Sequence, residues 1–118
     1  MSHPTQSPID LATFEELKAT AGADFVRDLV DAFLTEAPTM LSDLRRAFDA
    51  NDADRFRRGA HTLKSNSNTF GATELAALAK KLELDGLASV REAGGALLDS
   101  LADEYARVAQ RLKELARA

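Results

Sequence analysis

One of the two histidines, His61, lies within a run of basic, hydroxyl and amide side chains that reads RRGAHTLKSNSNTFGA from Arg57 to Ala72. On a helix of about 3.6 residues per turn, one face would carry His61 together with Arg57, Arg58, Lys64, Ser65 and Asn68. All these neighbours are hydrogen-bond donors, and no carboxylate lies on the same face within one turn. Donors that carry positive charge suit a phosphoryl group bound to an imidazole nitrogen.

A neutral imidazole is a competent nucleophile near physiological pH. His61 alone would nevertheless indicate only a solvated surface side chain, and a run of polar residues is usually a wet helix face. Small residues beside it, Gly59 and Ala60, leave space around the ring for a partner protein. The donors and this space together favour a phosphoryl-carrying site.

Length and composition limit the classes to which the chain can belong. Its 118 residues suit one domain with a single core of modest size. A net charge of -4 argues against a dedicated nucleic-acid binder, because such proteins contact phosphates with Lys and Arg. There is no cysteine, so thiolate chemistry is excluded and a zinc site would have few ligands. We therefore expect neither a metal nor a cofactor on this chain.

No stretch of the sequence is apolar enough to span a bilayer, and the polar segment 1–8 lacks the apolar core of a secretory signal. A cytoplasmic protein without membrane contact is expected. The sequence contains neither a G-x-x-x-x-G-K-[ST] phosphate-binding loop nor a protein-kinase signature. We therefore expect a carrier and not an enzyme with its own kinase or nucleotide-binding site.

Helical patterns run through the chain, and Leu and Ala dominate over β-branched residues. Residues 1–9 are predicted to be a flexible lead-in, and residues 10–118 a single domain. A short first helix follows a cap at Asp10 and ends before Gly22. A second helix is predicted over 24–50, with a kink or break near Ala37 because Pro38 cannot donate a backbone hydrogen bond.

The His61 helix is predicted to run from the turn at 51–52 to Phe70, where Gly71 ends it. A fourth helix follows, while 86–95 could be helix or loop because three glycines weaken it. A last helix carries apolar residues at steps of three and four from Leu98 to Leu115. The pattern predicts an all-α fold, an antiparallel four-helix bundle with a short additional N-terminal helix.

The segment His61-Thr62-Leu63-Lys64, followed by Ser67 and Phe70-Gly71-Ala72, resembles the phosphorylation motif of the histidine phosphotransfer (HPt) domain family of two-component phosphorelays. The order of helices agrees with that family as well, from about residue 9 to the C-terminus. The resemblance implies that His61 accepts a phosphoryl group, that Lys64 steadies it, and that the group is exchanged with an aspartate of a receiver domain. By the same resemblance, the Mg²⁺ of this exchange belongs to the receiver.

The implied partners are response-regulator receiver domains and a hybrid sensor histidine kinase, and we expect a monomeric, free-standing carrier. Two positions depart from the family pattern, which usually has Gly where this chain has Ser65 and often a small residue where it has Asn68. Weaker candidates for the shell around the phosphoryl group are Arg57, Arg58, Ser65 and Asn68.

Docking of a partner needs an apolar patch beside the polar face. Candidates are Leu11, Phe14 and Phe25, since the first helix is too short to bury all its apolar residues. The alternative is that all three belong to the core, and it is favoured slightly for Phe25.

Three other functions compete with phosphate carriage. The first is a degenerate HPt domain, a non-phosphorylated helical interaction module that binds a receiver or a kinase. The second is a histidine-kinase dimerisation fragment, which usually has an acidic residue after the histidine where this chain has Thr62. Metal-dependent catalysis ranks last, because His3 lies in the lead-in and cysteine is lacking.

Overall fold

The computed structural model describes residues 7–117, and within that range it contains α-helices and no strand. The helices are α1 Leu11–Ala21, α2 Ala23–Asp49, α3 Ala53–Thr69, α4 Thr73–Glu92 and α5 Ala96–Arg117. The all-α prediction is confirmed, and the bounds of α2 and α3 agree with the predicted ones to within about a turn.

The four long helices form the predicted antiparallel bundle. α3 packs against α2 and α4, and α5 closes the bundle by packing against α4 and α2. Turns of a few residues join successive helices, which is what makes neighbours antiparallel. The short α1 packs against α2 on the outside.

The apolar stripe of α3 points into the bundle as its spacing predicts. Its members Phe56, Ala60, Leu63 and Ser67 are all buried, as is Phe70, the residue that follows the helix. Because Leu63 has no exposed surface, replacing it with Ala would cost about 2–5 kcal/mol. This burial fixes the rotation of α3 and turns the opposite face, which carries His61, towards solvent.

Helix α2 continues through Pro38 without a break. The proline removes one backbone donor from the helix. Buried residues on both sides of it, Ala37 and Leu44, hold the two halves against the same core. Of the predicted kink or break, the break is therefore wrong, since packing along the whole helix outweighs the loss of one hydrogen bond, and the kink stays a prediction.

The start of α1 is tied to the turn between α3 and α4. The Asp10 amide donates to the Gly71 carbonyl at 2.7 Å. Asp10 is the N-cap residue as predicted, although its carboxylate accepts from the Thr13 hydroxyl at 2.8 Å and caps no backbone amide. Ile9, assigned to the flexible lead-in, is buried, so the core begins one residue earlier than predicted. Residues 1–6 of that lead-in lie outside the described residues.

The ambiguous segment 86–95 is largely helical. α4 reaches Glu92, but Gly86 has φ 81° and ψ 165° and interrupts the helix there. Beyond this interruption Leu87 and Val90 are buried, which holds the last turns of α4 on the core. Within residues 7–117, no helix combines the length and the apolar character that crossing a membrane requires.

Candidate functional site

His61 lies near the middle of α3 with 56% of its side chain exposed. Ala60, which precedes it, and Leu63, two residues after it, have no exposed surface. The ring therefore stands on the solvent side of a helix that the core holds rigidly. This is the position that the sequence predicts for a histidine that a partner protein must reach.

A carboxylate from the neighbouring helix meets both predicted catalytic side chains. Glu83 of α4 places Oε2 2.8 Å from His61 Nδ1. Its other oxygen, Oε1, lies 3.0 Å from Lys64 Nζ. Glu83 is mostly buried, with 16% of its side chain exposed, and Lys64 is 25% exposed. The three residues form one connected group across the α3–α4 interface, called here the His61 triad.

The charge of Glu83 decides which nitrogen of His61 carries the proton. Hydrogen bonding by Lys64, and then by His61, lowers the pKa of Glu83 from its ordinary value against the opposing effect of desolvation. The carboxylate is therefore ionised at neutral pH and can only accept hydrogen bonds. It follows that neutral His61 donates from Nδ1–H, which leaves the lone pair of Nε2 free.

Glu83 was not among the predicted site residues. The face of α3 carries no carboxylate within one turn of His61, and Glu83 comes from another helix. The sequence nevertheless indicates this pairing. His61 and Glu83 are the same number of residues away from Ala72, which lies at the turn between α3 and α4. Antiparallel packing of α3 and α4 must therefore bring these two positions to the same level.

Two predicted members of the phosphoryl shell are engaged elsewhere. Arg57 Nη2 lies 3.0 Å from Asp54 Oδ1, and Arg58 Nε lies 2.9 Å from Asp54 Oδ2. The hydrogen bond from Arg57, with the charge of Arg58, lowers the pKa of Asp54. In this arrangement both guanidinium groups are held at the first turn of α3 and do not join the His61 triad.

Ser65 and Asn68 are exposed on the same face of α3 as His61. Within residues 7–117, neither side chain has a hydrogen-bond partner, although the Ser65 carbonyl accepts from the Thr69 hydroxyl at 3.2 Å. Both side chains are therefore available to a ligand or a partner.

The exposure of the candidate docking residues differs from the prediction. Leu11 is 45% exposed, as a docking residue must be. Phe14 is 1% exposed, so its assignment to a docking surface is wrong, because α1 packs this ring into the core. Phe25, favoured for the core, is 54% exposed. Leu84, which is not among the predicted docking residues, is 72% exposed and follows Glu83 directly.

In the part of the chain from 7 to 117, no three or more His, Asp or Glu side chains are grouped so that they could hold a metal ion. His3 lies outside that part.

The comparisons with known proteins agree with this fold. The sequence model of the Hpt domain family matches residues 28–118, and the chain belongs to that family. It is therefore a phosphotransfer module of the phosphorelay type, a class that works with receiver domains and kinases.

A solved structure is similar over almost the whole chain, the crystal structure of histidine-containing phosphotransfer protein B (HptB) from Pseudomonas aeruginosa PAO1. The two chains are 28% identical, with a TM-score of 0.86, and the match covers 98% of this chain and 97% of that one. No curated protein matches this chain at a significant level.

Proposed function

We propose that this Hpt domain is a monomeric cytoplasmic phosphocarrier that accepts a phosphoryl group on Nε2 of His61. The group comes from the aspartyl phosphate of a response-regulator receiver domain, or returns to one, and a hybrid sensor histidine kinase stands upstream. The observation that carries this proposal is the hydrogen bond from His61 Nδ1 to Glu83 Oε2 at 2.8 Å, on a ring that is 56% exposed.

In the transfer step, the Nε2 lone pair attacks phosphorus and forms the N–P bond. The P–O bond to the receiver aspartate breaks, and its electron pair leaves on the carboxylate oxygen. His61 keeps its Nδ1 proton, so the ring becomes cationic, and the Glu83 carboxylate lies against that charge. In the reverse step the N–P electron pair returns to Nε2, and the positive ring is a better leaving group than a neutral one would be.

Lys64 supplies positive charge beside the reacting group. Its ammonium is held 3.0 Å from Glu83 Oε1, on the α4 side of His61. An ammonium has three donors, so Lys64 can keep Glu83 and donate to a phosphoryl oxygen as well. Such preorganised charge is the main way in which proteins assist phosphoryl transfer.

The remaining predicted residues have lesser roles in this proposal. Arg57 and Arg58 give the rim near Asp54 one net positive charge, which favours approach of an acidic receiver pocket. Leu11 supplies exposed apolar surface for docking, while Ser65 and Asn68 offer free donors. Any Mg²⁺ that the transfer requires is expected on the receiver.

The competing function is a degenerate Hpt domain that binds a receiver or kinase without being phosphorylated. To separate the two, the purified protein is mixed with radiolabelled phospho-receivers of its host, with His61→Gln as the control. Acid-labile, alkali-stable label on the parent and none on the variant would support the carrier. A complete panel of receivers that leaves the parent unlabelled would favour the interaction module.

A further inference from the structure

One hydroxyl group on the helix of His61 is free to bind a ligand. Thr62 and Thr69 each donate their hydroxyl to a carbonyl one turn earlier, at 3.1 and 3.2 Å. Ser67 is fully buried. Ser65 is exposed, one turn after His61, and its Oγ has no partner within residues 7–117.

Ser65 lies on the side of α3 that faces away from Glu83. Successive residues of an α-helix are rotated by about 100°. Lys64 is therefore about 60° from His61 on the side of α4, where it meets Glu83, and Ser65 is about 40° away on the opposite side. Because Nδ1 faces Glu83 at 2.8 Å, Nε2 belongs to the part of the ring directed away from that carboxylate, and Ser65 lies on the side of α3 away from α4.

Other donors near Nε2 are occupied or distant. Arg58 shares the side of Ser65, but its Nε pairs with Asp54 Oδ2 at 2.9 Å, which directs the guanidinium towards the first turn of α3 and away from His61. Asn68 lies two turns from His61, about 10 Å along the helix axis. A phosphoryl group on Nε2 has three acceptor oxygens, and Lys64 reaches it only from the α4 side. Ser65 is thus the free donor one turn away on the open side.

We infer that the Ser65 hydroxyl donates a hydrogen bond to an oxygen of the phosphoryl group on His61 and so stabilises the phosphorylated state. This inference rests on the proposed function, since it needs a phosphoryl group on Nε2. It makes Ser65 a binding residue for the phosphohistidine. The opposing account is that the Ser65 side chain crowds the docking partner and makes no bond to the phosphoryl group.

A partition experiment separates these accounts. Parent protein is charged with phosphoramidate, a small phosphoryl donor, and mixed with an equal amount of Ser65→Ala and a trace of a receiver that exchanges with both. At equilibrium the label divides according to the relative stabilities of the two phosphohistidines. Docking to the receiver alters only how fast this division is reached, because the receiver is free in both end states.

We expect Ser65→Ala to hold about three- to tenfold less label than the parent, the effect of one ordinary hydrogen bond on a solvent-exposed face. Ser65→Gly should partition like Ser65→Ala, since both lack the hydroxyl. Equal division of label between parent and Ser65→Ala would overturn the inference, and equal division with a faster approach to equilibrium would establish crowding instead. A parent that phosphoramidate and every receiver leave uncharged would refute the proposed function itself.

Discussion

His61 and Glu83 belong to different helices, and the 2.8 Å contact between Nδ1 and Oε2 makes α4 part of the site. Removing the acceptor by Glu83→Ala would free His61 to adopt the tautomer with the proton on Nε2, in which Nε2 has no lone pair to attack phosphorus. We expect transfer from a phospho-receiver to slow about ten- to a hundredfold, the effect of one charge-assisted hydrogen bond. Single-turnover transfer kinetics measure this effect.

Glu83→Gln is the matched control, since its amide oxygen can still accept from Nδ1–H without carrying charge. It should lose less activity than Glu83→Ala. The ¹⁵N chemical shifts of the neutral ring report the tautomer directly, and a parent protein with its proton on Nε2 would refute the assigned role of Glu83.

Lys64→Ala is expected to slow transfer without unfolding the bundle. The substitution removes the cation beside the phosphoryl group and leaves the mostly buried Oε1 of Glu83 without its ion-pair partner. We expect a loss of about tenfold or more in transfer rate. Circular dichroism and transfer kinetics on the same samples test both parts.

A matched control for Lys64→Ala is Lys80→Ala, which removes an exposed lysine from α4. It should transfer at close to the parent rate. If Lys64→Ala also transfers at the parent rate, the role given to Lys64 is wrong.

Leu11 and Phe14 should respond to substitution in opposite ways. Phe14→Ala opens a cavity in the core and should lower the free energy of unfolding by about 3–5 kcal/mol. Leu11→Ala should leave stability nearly unchanged and slow transfer from a phospho-receiver, but not from phosphoramidate, which needs no docking surface. Equal rates for Leu11→Ala and the parent with every receiver would remove Leu11 from the docking surface.

Glu104 predicts a pH dependence of stability. Burial raises the pKa of its carboxyl, although Arg107, 2.9 Å from Oε1, opposes this. The folded state then holds the proton more tightly than the unfolded state. The free energy of unfolding should therefore fall as pH rises from the ordinary glutamate range, about 4.3, through the raised pKa.

Glu104→Gln cannot ionise, so it should remove this decline and stabilise the protein at neutral pH by about 0.5–1 kcal/mol. Urea unfolding of the parent and the variant, at neutral and at mildly acidic pH, measures the difference. Glu92→Gln, which changes an exposed glutamate of α4, serves as the control. A Glu104→Gln variant that is less stable than the parent at neutral pH would contradict the assignment.

Gly71 is required where α1 crosses the turn between α3 and α4. Its φ is 78°, and an added Cβ would lie 2.9 Å from both the Asp10 carbonyl oxygen and Thr13 Cβ. Gly71→Ala should cost about 1–3 kcal/mol in chemical denaturation. Gly94→Ala, with φ 84° and open space around the new Cβ, isolates the cost of the backbone conformation. If both variants lose the same free energy of unfolding, the close approach of Asp10 and Thr13 to Gly71 is unimportant.

Periodicity in the sequence was sufficient to predict the bundle. It also predicted the exposure of His61, because the buried stripe of α3 turns the opposite face of the helix towards solvent. The position of Lys64 beside His61 follows from the spacing of the two residues on the same helix. Glu83 required knowledge of how two helices align, which depends on the turn at Gly71. Phe14 and Phe25 are equally apolar, and only the position of α1 across α2 decides which ring is covered. At Pro38, packing of both halves of α2 on the core outweighs the tendency of proline to break a helix.

The most direct test of the account asks which nitrogen bears the phosphoryl group. Protein labelled with ¹⁵N-histidine is phosphorylated by a phospho-receiver, and the coupling between ³¹P and ¹⁵N is recorded. The sequence contains only two histidines, so the assignment is unambiguous. The account predicts coupling to Nε2 of His61 in the parent, and coupling at the same atom in Glu83→Ala after slower and weaker labelling. Coupling to Nδ1 of His61, or to His3, would contradict it.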